Sequence, residues 1–412
     1  MTTASRKRES KQATKMAIVD ADGHVVEPPW MWQEYIEPDY RDYVPTTVQL
    51  SDGIDWVIPG PKAQPGDVSQ VVAVQSGEVE AGPAPVRGRT MILPTAAAQI
   101  AGRPWDENWN KPFRTGIQGA WDPHERIKDM DAEGIDTAIL YPTTMLGYVA
   151  DPGFAAARSR AYNNWLADYI KPYPNRLYGA AAVPLQDIPA AVTELRRAVN
   201  ELGFKGVFIR PNPYIENTRF DTPIYDAFWA ECQALGVPVG LHVFLRPDMP
   251  GACRDLKIAA FEDIYFTQAV SNPIDLMLCL SWFCAAGILD RFPDLKVIFL
   301  EGNGGWVQSW LERLDHHSKI WGSQVPWQKM SPTERFKNNC YVSFDADEKL
   351  LCPTAEILGA EPIIWASDYP HPDAKMPGVV QEIRENVARL PEAAQRQILG
   401  ENAIKLYNLP VG

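Results

Sequence analysis

The amino-acid sequence predicts an α/β protein that folds as a (β/α)8 TIM barrel with a long insertion after its first strand. Eight short segments are rich in β-branched and aromatic residues, and seven of them alternate with helix-length segments after residue 120, as parallel βαβ units do. A length of 412 residues suits one such barrel that carries an insertion. Acidic and histidine side chains follow four of the eight segments, at the end of the barrel where active sites lie.

Eight is the number of strands that a closed barrel of this kind requires. Between the predicted strands lie predicted helices, at 155–170, 188–201, 225–235 and 261–289, each ending near Gly or Pro. The predicted strands are 17–22, 137–141, 177–183, 206–210, 237–243, 296–301, 340–345 and 363–368.

Two segments fall outside this pattern. Residues 1–15 are polar and basic without an apolar stretch, so we expect a disordered tail and no secretory signal. Residues 28–121 are far longer than a usual strand-to-helix loop and form an insertion, with a small β-hairpin expected at 54–91. Such a loop at the barrel mouth is typical of an active-site lid. Residues 16–412 are therefore predicted to be a single catalytic domain.

Composition narrows the function classes. The chain is 46% hydrophobic and 22% charged with a net charge of -13, which argues against a nucleic-acid partner. Its apolar runs are shorter than the roughly 20 residues of a membrane span, so no membrane partner is expected and the cytoplasm is the default location. The six cysteines show no CxxC pairing, which favours reduced core thiols.

The first predicted strand ends in Asp22-x-His24, and alternation along a strand places both side chains on one face. By itself this pair could be a turn with a hydrogen-bonded histidine. His242, Glu301 and Asp368 occupy the corresponding ends of three further strands. Histidines and carboxylates at four strand ends predict a metal site.

Further residues are candidates for the same site. Pro370 and Pro372 would hold His371 near Asp368. Glu27 follows His24 in the loop and could equally cap a turn. The complete set of predicted ligands holds four carboxylates and three imidazoles, which is more than one tetrahedral ion uses: Asp22, His24, Glu27, His242, Glu301, Asp368 and His371.

Two residues are predicted to contact the metal ligands and not the metal itself. Asp345 lies in the acidic cluster that ends the seventh strand, where capping of the next helix explains it equally well. Arg210 ends the fourth strand. His124 is typical of a helix start, and His316 and His317 of a helix surface.

This arrangement resembles the metal-dependent amidohydrolase superfamily, in particular its branch of aminocarboxymuconate-semialdehyde and resorcylate-type decarboxylases. The resemblance covers nearly the whole chain and includes the segment 291–296. Asp22, His24, His242 and Asp368 fill four of the metal-site positions of that branch. It implies an amidohydrolase-type barrel with a metal above the strand ends.

The sequence departs from that branch at two positions. Glu301 stands where the branch carries a histidine that acts on the substrate, which argues against decarboxylation by the branch's usual mechanism. Arg210 stands where dinuclear hydrolases of the superfamily carry a lysine whose carbamate bridges two ions, which argues against their mechanism as well.

With Glu301 and the segment 367–373, the chain is also similar to the TIM-barrel nonheme diiron monooxygenases. This similarity implies an oxygenase in natural product biosynthesis, with two irons and with Glu301 and Asp368 as catalytic residues. It would use O2 to hydroxylate an unactivated C–H bond of a hydrophobic, diterpenoid-type substrate linked to coenzyme A. No flavin, NAD or iron-sulfur motif is present, so the electrons would come from an outside ferredoxin or reductase.

Two alternatives remain open. The first is a mononuclear zinc or manganese hydrolase or decarboxylase of a small carboxylic acid, in which Asp368 would deprotonate a metal-bound water. The second is a barrel without catalytic activity that binds a partner. A homodimer is compatible with each of these readings.

Overall fold

A computed structural model of the chain describes residues 16–49, 55–58, 60–62, 117–244, 251–258, 264–371, 374 and 376–410. In this part of the chain, eight parallel strands follow one another in the order β1-β4-β5-β6-β7-β8-β9-β10, and β2 pairs only with β3. The predicted (β/α)8 barrel is confirmed. The strands are β1 Val19–His24, β2 Thr46–Gln49, β3 Asp55–Ile58, β4 Thr137–Tyr141, β5 Leu177–Ala182, β6 Gly206–Ile209, β7 Val239–His242, β8 Val297–Leu300, β9 Cys340–Asp345 and β10 Ile363–Ala366.

The barrel closes between its first and last strands at the carboxyl ends. The amide of Asp368 donates to the carbonyl of Asp22 at 3.2 Å, and the amide of His24 donates to the carbonyl of Tyr369 at 2.7 Å. The buried Asp20 carboxylate adds a second link, because it accepts from the amide and the hydroxyl of Ser367. The loop after β10 is thereby held against β1.

The helices begin where the sequence supplies caps. Asp122, Asp151 and Asp187 each accept a backbone N–H at the start of a helix and precede a proline in its first turn, as N-caps do. The helices are α1 Pro29–Tyr35, α2 Pro123–Glu133, α3 Pro152–Ile170, α4 Ile188–Asn200, α5 Asp226–Leu235, α6 Ala252–Asp255, α7 Ile264–Phe266, α8 Asn272–Cys284, α9 Ile288–Arg291, α10 Val307–Ile320, α11 Pro332–Asn339, α12 Leu351–Leu358, α13 Val379–Val387, α14 Glu392–Arg396 and α15 Asn402–Leu406.

The long apolar segment predicted as one helix at 261–289 is divided. A π-helical stretch, Thr267–Ser271, joins α7 to α8, and α8 ends at Cys284. By length and composition alone, Thr267–Arg291 is long and apolar enough to cross a membrane, with 56% of its most apolar window buried. The same property marks helices that pack on a protein core, and α8 buries Leu276, Leu280 and Phe283, so this finding is weak evidence for a membrane.

The described part of the insertion contains α1 and the antiparallel pair of β2 and β3, in which Thr46 lies opposite Ile58. Most of the hairpin predicted at 54–91 lies outside the described residues, and so does the tail at 1–15. The role of the insertion as a lid and the single-domain boundary remain predictions.

A tyrosine pair fills the barrel interior below the carboxyl ends of the strands. The hydroxyls of Tyr141 and Tyr407 lie 2.8 Å apart, and both side chains are buried. The ring of Tyr141 stacks on the ring of His242 with centroids 5.9 Å apart. The space beneath the strand ends is therefore packed, and the imidazole of His242 rests on a rigid support.

Candidate metal centre

The structure brings six of the seven predicted ligands together at the carboxyl ends of β1, β7, β8 and β10. Within the described residues they form two groups in which the ligand atoms lie within 4.8 Å of one another, and His24 belongs to both. The buried group holds Asp22, His24 and His242. The partly exposed group holds His24, Glu301, Asp368 and His371.

The two buried histidines direct their Nε2 atoms toward each other. His24 Nδ1 lies 2.8 Å from the carbonyl of Pro142, and His242 Nδ1 lies 2.9 Å from the carbonyl of Val243. A carbonyl only accepts hydrogen bonds, so each Nδ1 carries a proton and the Nε2 of a neutral ring has a lone pair. These Nε2 atoms lie 3.1 Å apart. Two imidazole nitrogens at this separation could both bind one ion.

Asp22 completes the buried group. Its Oδ1 has no hydrogen-bond partner among the described residues and lies 3.7 Å from Nε2 of His24 and 3.9 Å from Nε2 of His242. Burial raises the pKa of Asp22 well above its usual range, although His242 opposes the shift. A buried carboxylate oxygen without a hydrogen bond is costly. A divalent cation beside the two imidazoles would supply its partner, so these residues fit a metal ion.

The pKa of His24 favours the same role. Burial, together with the neighbouring His371 and His242, holds the pKa of this imidazole well below its usual range. The ring is therefore neutral, which is the form that binds a metal.

Glu301 lies opposite His242. Its Oε2 is 3.0 Å from His242 Nε2. Burial disfavours protonation of His242, but the carboxylates of Glu301 and Asp22 outweigh it and raise its pKa to about 9. Burial likewise opposes ionisation of Glu301, but His242 and His371 outweigh it and lower the pKa of Glu301. Without a metal ion, His242 and Glu301 therefore form an ion pair, which a metal would replace.

Asp368 and His371 lie on the other side of His24. Asp368 Oδ1 is 3.4 Å from His24 Nε2 and 2.7 Å from His371 Nδ1. The His371 ring stacks on the His24 ring with centroids 4.0 Å apart. Asp368 has φ 54° and Glu301 has φ 53°, a left-handed conformation that non-glycine residues seldom adopt. Both residues adopt this conformation just after their strands end, where their side chains reach the metal centre.

The other predicted site residues lie elsewhere. Glu27 is outside both groups, because its carboxylate accepts from the backbone amides of Thr143, Thr144 and Met145. Asp345 accepts from Asn303 Nδ2 at 3.0 Å and faces the cavity described next.

Arg210 follows β6, is buried, and donates to the carbonyl of Phe244 at 3.3 Å. It lines a separate small cavity with Arg158 and Tyr214.

A cavity of about 500 Å³ opens beside the second group. The π-helical stretch Thr267–Ser271 forms one of its walls, and Gln268 in this stretch donates to Glu301. Short π-helical stretches within α-helices often occur at functional sites. Its polar lining residues include Gln268, Glu301, Asn303, Asp345, Ser367 and Asp368.

The sequence prediction missed Gln268 and Thr143. Thr143 Oγ1 lies 2.9 Å from His371 Nε2. Thr143 comes two residues after the end of β4, so the rule that polar residues at strand ends meet in a barrel could have found it. Nothing in the sequence indicates Gln268, because its position depends on a helix irregularity.

Comparison with known proteins identifies the family. The family model described as Amidohydrolase matches residues 19–409. The chain belongs to this amidohydrolase family. It is 26% identical over 301 residues to a 2-amino-3-carboxymuconate-6-semialdehyde decarboxylase of Dictyostelium discoideum, with 73% of the chain and 80% of that protein covered. It is 29% identical over 301 residues to a gamma-resorcylate decarboxylase of Polaromonas sp., with 69% and 86% covered.

Solved structures show the same fold. An amidohydrolase from Mycobacterium avium subsp. paratuberculosis superposes with a TM-score of 0.72 at 19% identity, with 97% of this chain and 100% of that chain covered. A dihydroxybenzoic acid decarboxylase from Polaromonas sp., solved with bound manganese and the inhibitor 2-nitroresorcinol, superposes with a TM-score of 0.63 at 20% identity, with 96% and 98% covered.

These findings correct the prediction of a diiron monooxygenase, which is wrong. The relatives are decarboxylases, and a structural neighbour holds manganese. The prediction of two irons is wrong with it. The two ligand groups share His24. Its Nε2 has one lone pair and lies 3.7 Å from Asp22 Oδ1 and 3.4 Å from Asp368 Oδ1, and its Nδ1 is engaged by the carbonyl of Pro142, so His24 can serve one ion and not two. The expected O2, external electron donor, coenzyme A thioester and homodimer have no support in the comparisons.

Proposed function

We propose that this chain is a mononuclear metal-dependent decarboxylase of a small aromatic carboxylic acid, with manganese or zinc as the ion. The observation that carries the proposal is the convergence of two imidazole Nε2 atoms and the Asp22 carboxylate next to Glu301 and Asp368, which line a cavity of about 500 Å³. That volume suits a small organic acid. The named activities of the relatives support the same reaction.

Asp22, His24 and His242 would hold the ion, and Glu301 and Asp368 face it from the cavity side. When bound, the ion supplies a Lewis acid that polarises an oxygen of the acid. Glu301, whose Oε2 lies 3.0 Å from His242 Nε2, would balance part of the positive charge of the ion. Asp368 lines the cavity, where it can contact the reacting acid.

Decarboxylation also needs a proton. The bond between the ring carbon and the carboxyl carbon breaks, its electron pair stays on the ring carbon, CO2 leaves, and a proton takes its place. Asp368 Oδ1 and His371 Nδ1 lie 2.7 Å apart, a separation at which the two atoms share a proton. Asp368 lines the cavity, so the pair can act as the proton reservoir that the reaction requires.

Glu301 influences which acids fit. A carboxylate beside the ion repels a second anionic group but accepts a hydrogen bond from a hydroxyl. An aromatic acid with a hydroxyl next to its carboxyl group would meet both requirements, with one oxygen for the ion and one O–H for Glu301. We therefore expect hydroxybenzoic acids to be better substrates than dicarboxylic acids.

The test starts from chain stripped of metal and reloaded with manganese or zinc. CO2 release is measured from hydroxylated benzoic acids and from matched acids without the hydroxyl, with the products identified by chromatography and His242→Ala as the control. We expect CO2 release that rises with metal up to one ion per chain and favours the hydroxylated acids. Protein that holds one ion and releases no CO2 from any of these acids contradicts the proposal.

A further inference from the structure

Thr143 links the acid–base pair of Asp368 and His371 to the loop after β4, through its contact with His371. We propose that Thr143 is a positioning residue that fixes the ring of His371 against Asp368, and that Glu27 builds the loop that presents Thr143. The inference rests on the proposed function for its catalytic consequence, but the hydrogen bonds that carry it can be observed without any turnover.

The loop after β4 is organised by a single carboxylate. Glu27 is 1% exposed and accepts from the amides of Thr144 at 2.7 Å, Met145 at 3.1 Å and Thr143 at 3.3 Å. Three amides that converge on one carboxylate fix the backbone of a short turn. Glu27 was predicted as a metal ligand, and we infer this structural role for it in place of that one.

The direction of each hydrogen bond at Thr143 follows from its partners. The Thr143 hydroxyl lies 2.8 Å from the carbonyl of Val25, which only accepts, so its one proton is donated there. Its oxygen then accepts from His371 Nε2, 2.9 Å away. The proton on Nε2 leaves His371 Nδ1 to share the other proton with Asp368 Oδ1.

Both nitrogens of His371 are therefore engaged. The ring cannot rotate without losing a hydrogen bond at one end, and its face is held on His24 at a centroid separation of 4.0 Å. Neither nitrogen is directed at the buried group of Asp22, His24 and His242. His371 thus lies beside the proposed ion and supports Asp368, and it does not ligate the ion in this arrangement.

Two substitutions separate the contribution of the Thr143 hydroxyl from that of its methyl group. Thr143→Val keeps the volume and removes the hydroxyl, whereas Thr143→Ser keeps the hydroxyl and removes a methyl group. For Thr143→Val we expect kcat to fall on the order of tenfold, the effect of one hydrogen bond, with KM and metal content unchanged. Thr143→Ser should stay within about threefold of the native chain.

The second readout does not depend on activity. In zinc-loaded protein with ¹⁵N-labelled histidine, the Nε2–H proton of His371, assigned with His371→Asn, should exchange slowly with water. Thr143→Val should make it exchange faster, Thr143→Ser should not, and Glu27→Gln should weaken the same protection because the loop loses an acceptor oxygen. Thermal unfolding of each variant shows that it folds.

Three outcomes would overturn the proposal. The first is an unchanged exchange rate in folded Thr143→Val, and the second is an equal loss of protection in Thr143→Ser. The third is full protection of the His371 Nε2–H proton in folded Glu27→Gln, which would show that Glu27 does not help to position Thr143. If the native chain released no CO2 while the exchange pattern held, the proposed reaction would fail and the positioning role of Thr143 would stand.

Discussion

The two halves of the metal centre are built differently. Asp22, His24 and His242 come from β1 and β7, and their side chains are at most 2% exposed. Glu301, Asp368 and His371 follow β8 and β10, and their side chains are 13–19% exposed. The buried half is suited to hold an ion, and the exposed half meets the cavity in which a substrate would lie.

The backbone explains the difference. Asp22, His24 and His242 lie within β1 and β7. His24 and His242 are paired with residues of the neighbouring strands, and the carbonyl of Asp22 accepts from the amide of Asp368. Glu301 and Asp368 lie just beyond β8 and β10 in a left-handed conformation. Strain of this kind persists only where the surrounding structure imposes it. At Asp368 the hydrogen bonds between Ser367 and Asp20 impose it, and they place a reactive carboxylate at the cavity.

The largest expected effect lies in the buried half. His242→Ala should lower metal affinity on the order of a thousandfold, beyond the roughly 10–100-fold that loss of a supporting hydrogen bond costs, because Asp22 and His24 alone cannot complete a binding site. Metal content after dialysis against a chelator measures the loss. His316→Ala, at an exposed position of α10, is the matched control and should keep its metal. Full metal retention in His242→Ala would show that the buried half of the centre does not hold the ion.

In the exposed half, Asp368→Asn should separate binding from catalysis. We expect kcat for CO2 release to fall on the order of a hundredfold or more, the usual effect of losing an acid–base group, while the chain keeps about one ion. The reason is that the three buried ligands remain. Steady-state rates and metal analysis on the same preparation check this. An Asp368→Asn chain that lost its metal would place Asp368 with the buried half.

The pH dependence of metal binding tests the contact between the halves. Glu301 and Asp22 raise the pKa of His242 to about 9 against the opposing effect of burial, so below pH 9 an ion must displace a proton. Zinc affinity should then rise up to about tenfold per pH unit below pH 9 and level off above it.

Glu301→Gln removes the carboxylate that contacts His242 and should move this levelling to lower pH. Zinc titrations at a series of pH values, with exposed Asp42→Asn as the control, provide the measurement. The same levelling pH in Glu301→Gln and in the native chain would show that the two residues are not coupled.

The smallest effect is expected at the rim of the cavity. Asp345 is exposed and accepts one hydrogen bond from Asn303, and Asn at this position keeps the acceptor oxygen. Asp345→Asn should therefore change kcat/KM by no more than about threefold, as for other exposed charges. A tenfold loss with unchanged metal content would bring Asp345 into direct contact with the substrate.

Much of the site was predictable because a parallel barrel converts sequence position into spatial proximity. Each predicted strand end that carried a histidine or a carboxylate, as at His24, His242 and Asp368, delivers that side chain to one rim. The same rule applied to Thr143 would have placed it there too. Local pattern was enough because alternation along a strand fixes which face a residue takes.

The direction of a side chain beyond the strand was not predictable. The sequence alone left Glu27 equally suited to an ion and to a turn. In the folded loop three backbone amides converge on its carboxylate, an arrangement that favours the turn and that no local pattern indicated. The prediction of two ions failed for a related reason. A count of ligand residues does not show that both groups depend on one nitrogen of His24.

The sequence by itself determined the barrel, the end of the barrel that carries the chemistry and the residue types that face it, because these follow from periodicity and parallel topology. Tertiary structure decided which atoms meet. Thr143 and His371 are 228 residues apart, and their hydrogen bond depends on barrel closure between β1 and β10. Contacts of that range arise only once the whole core has packed, because no local preference specifies them.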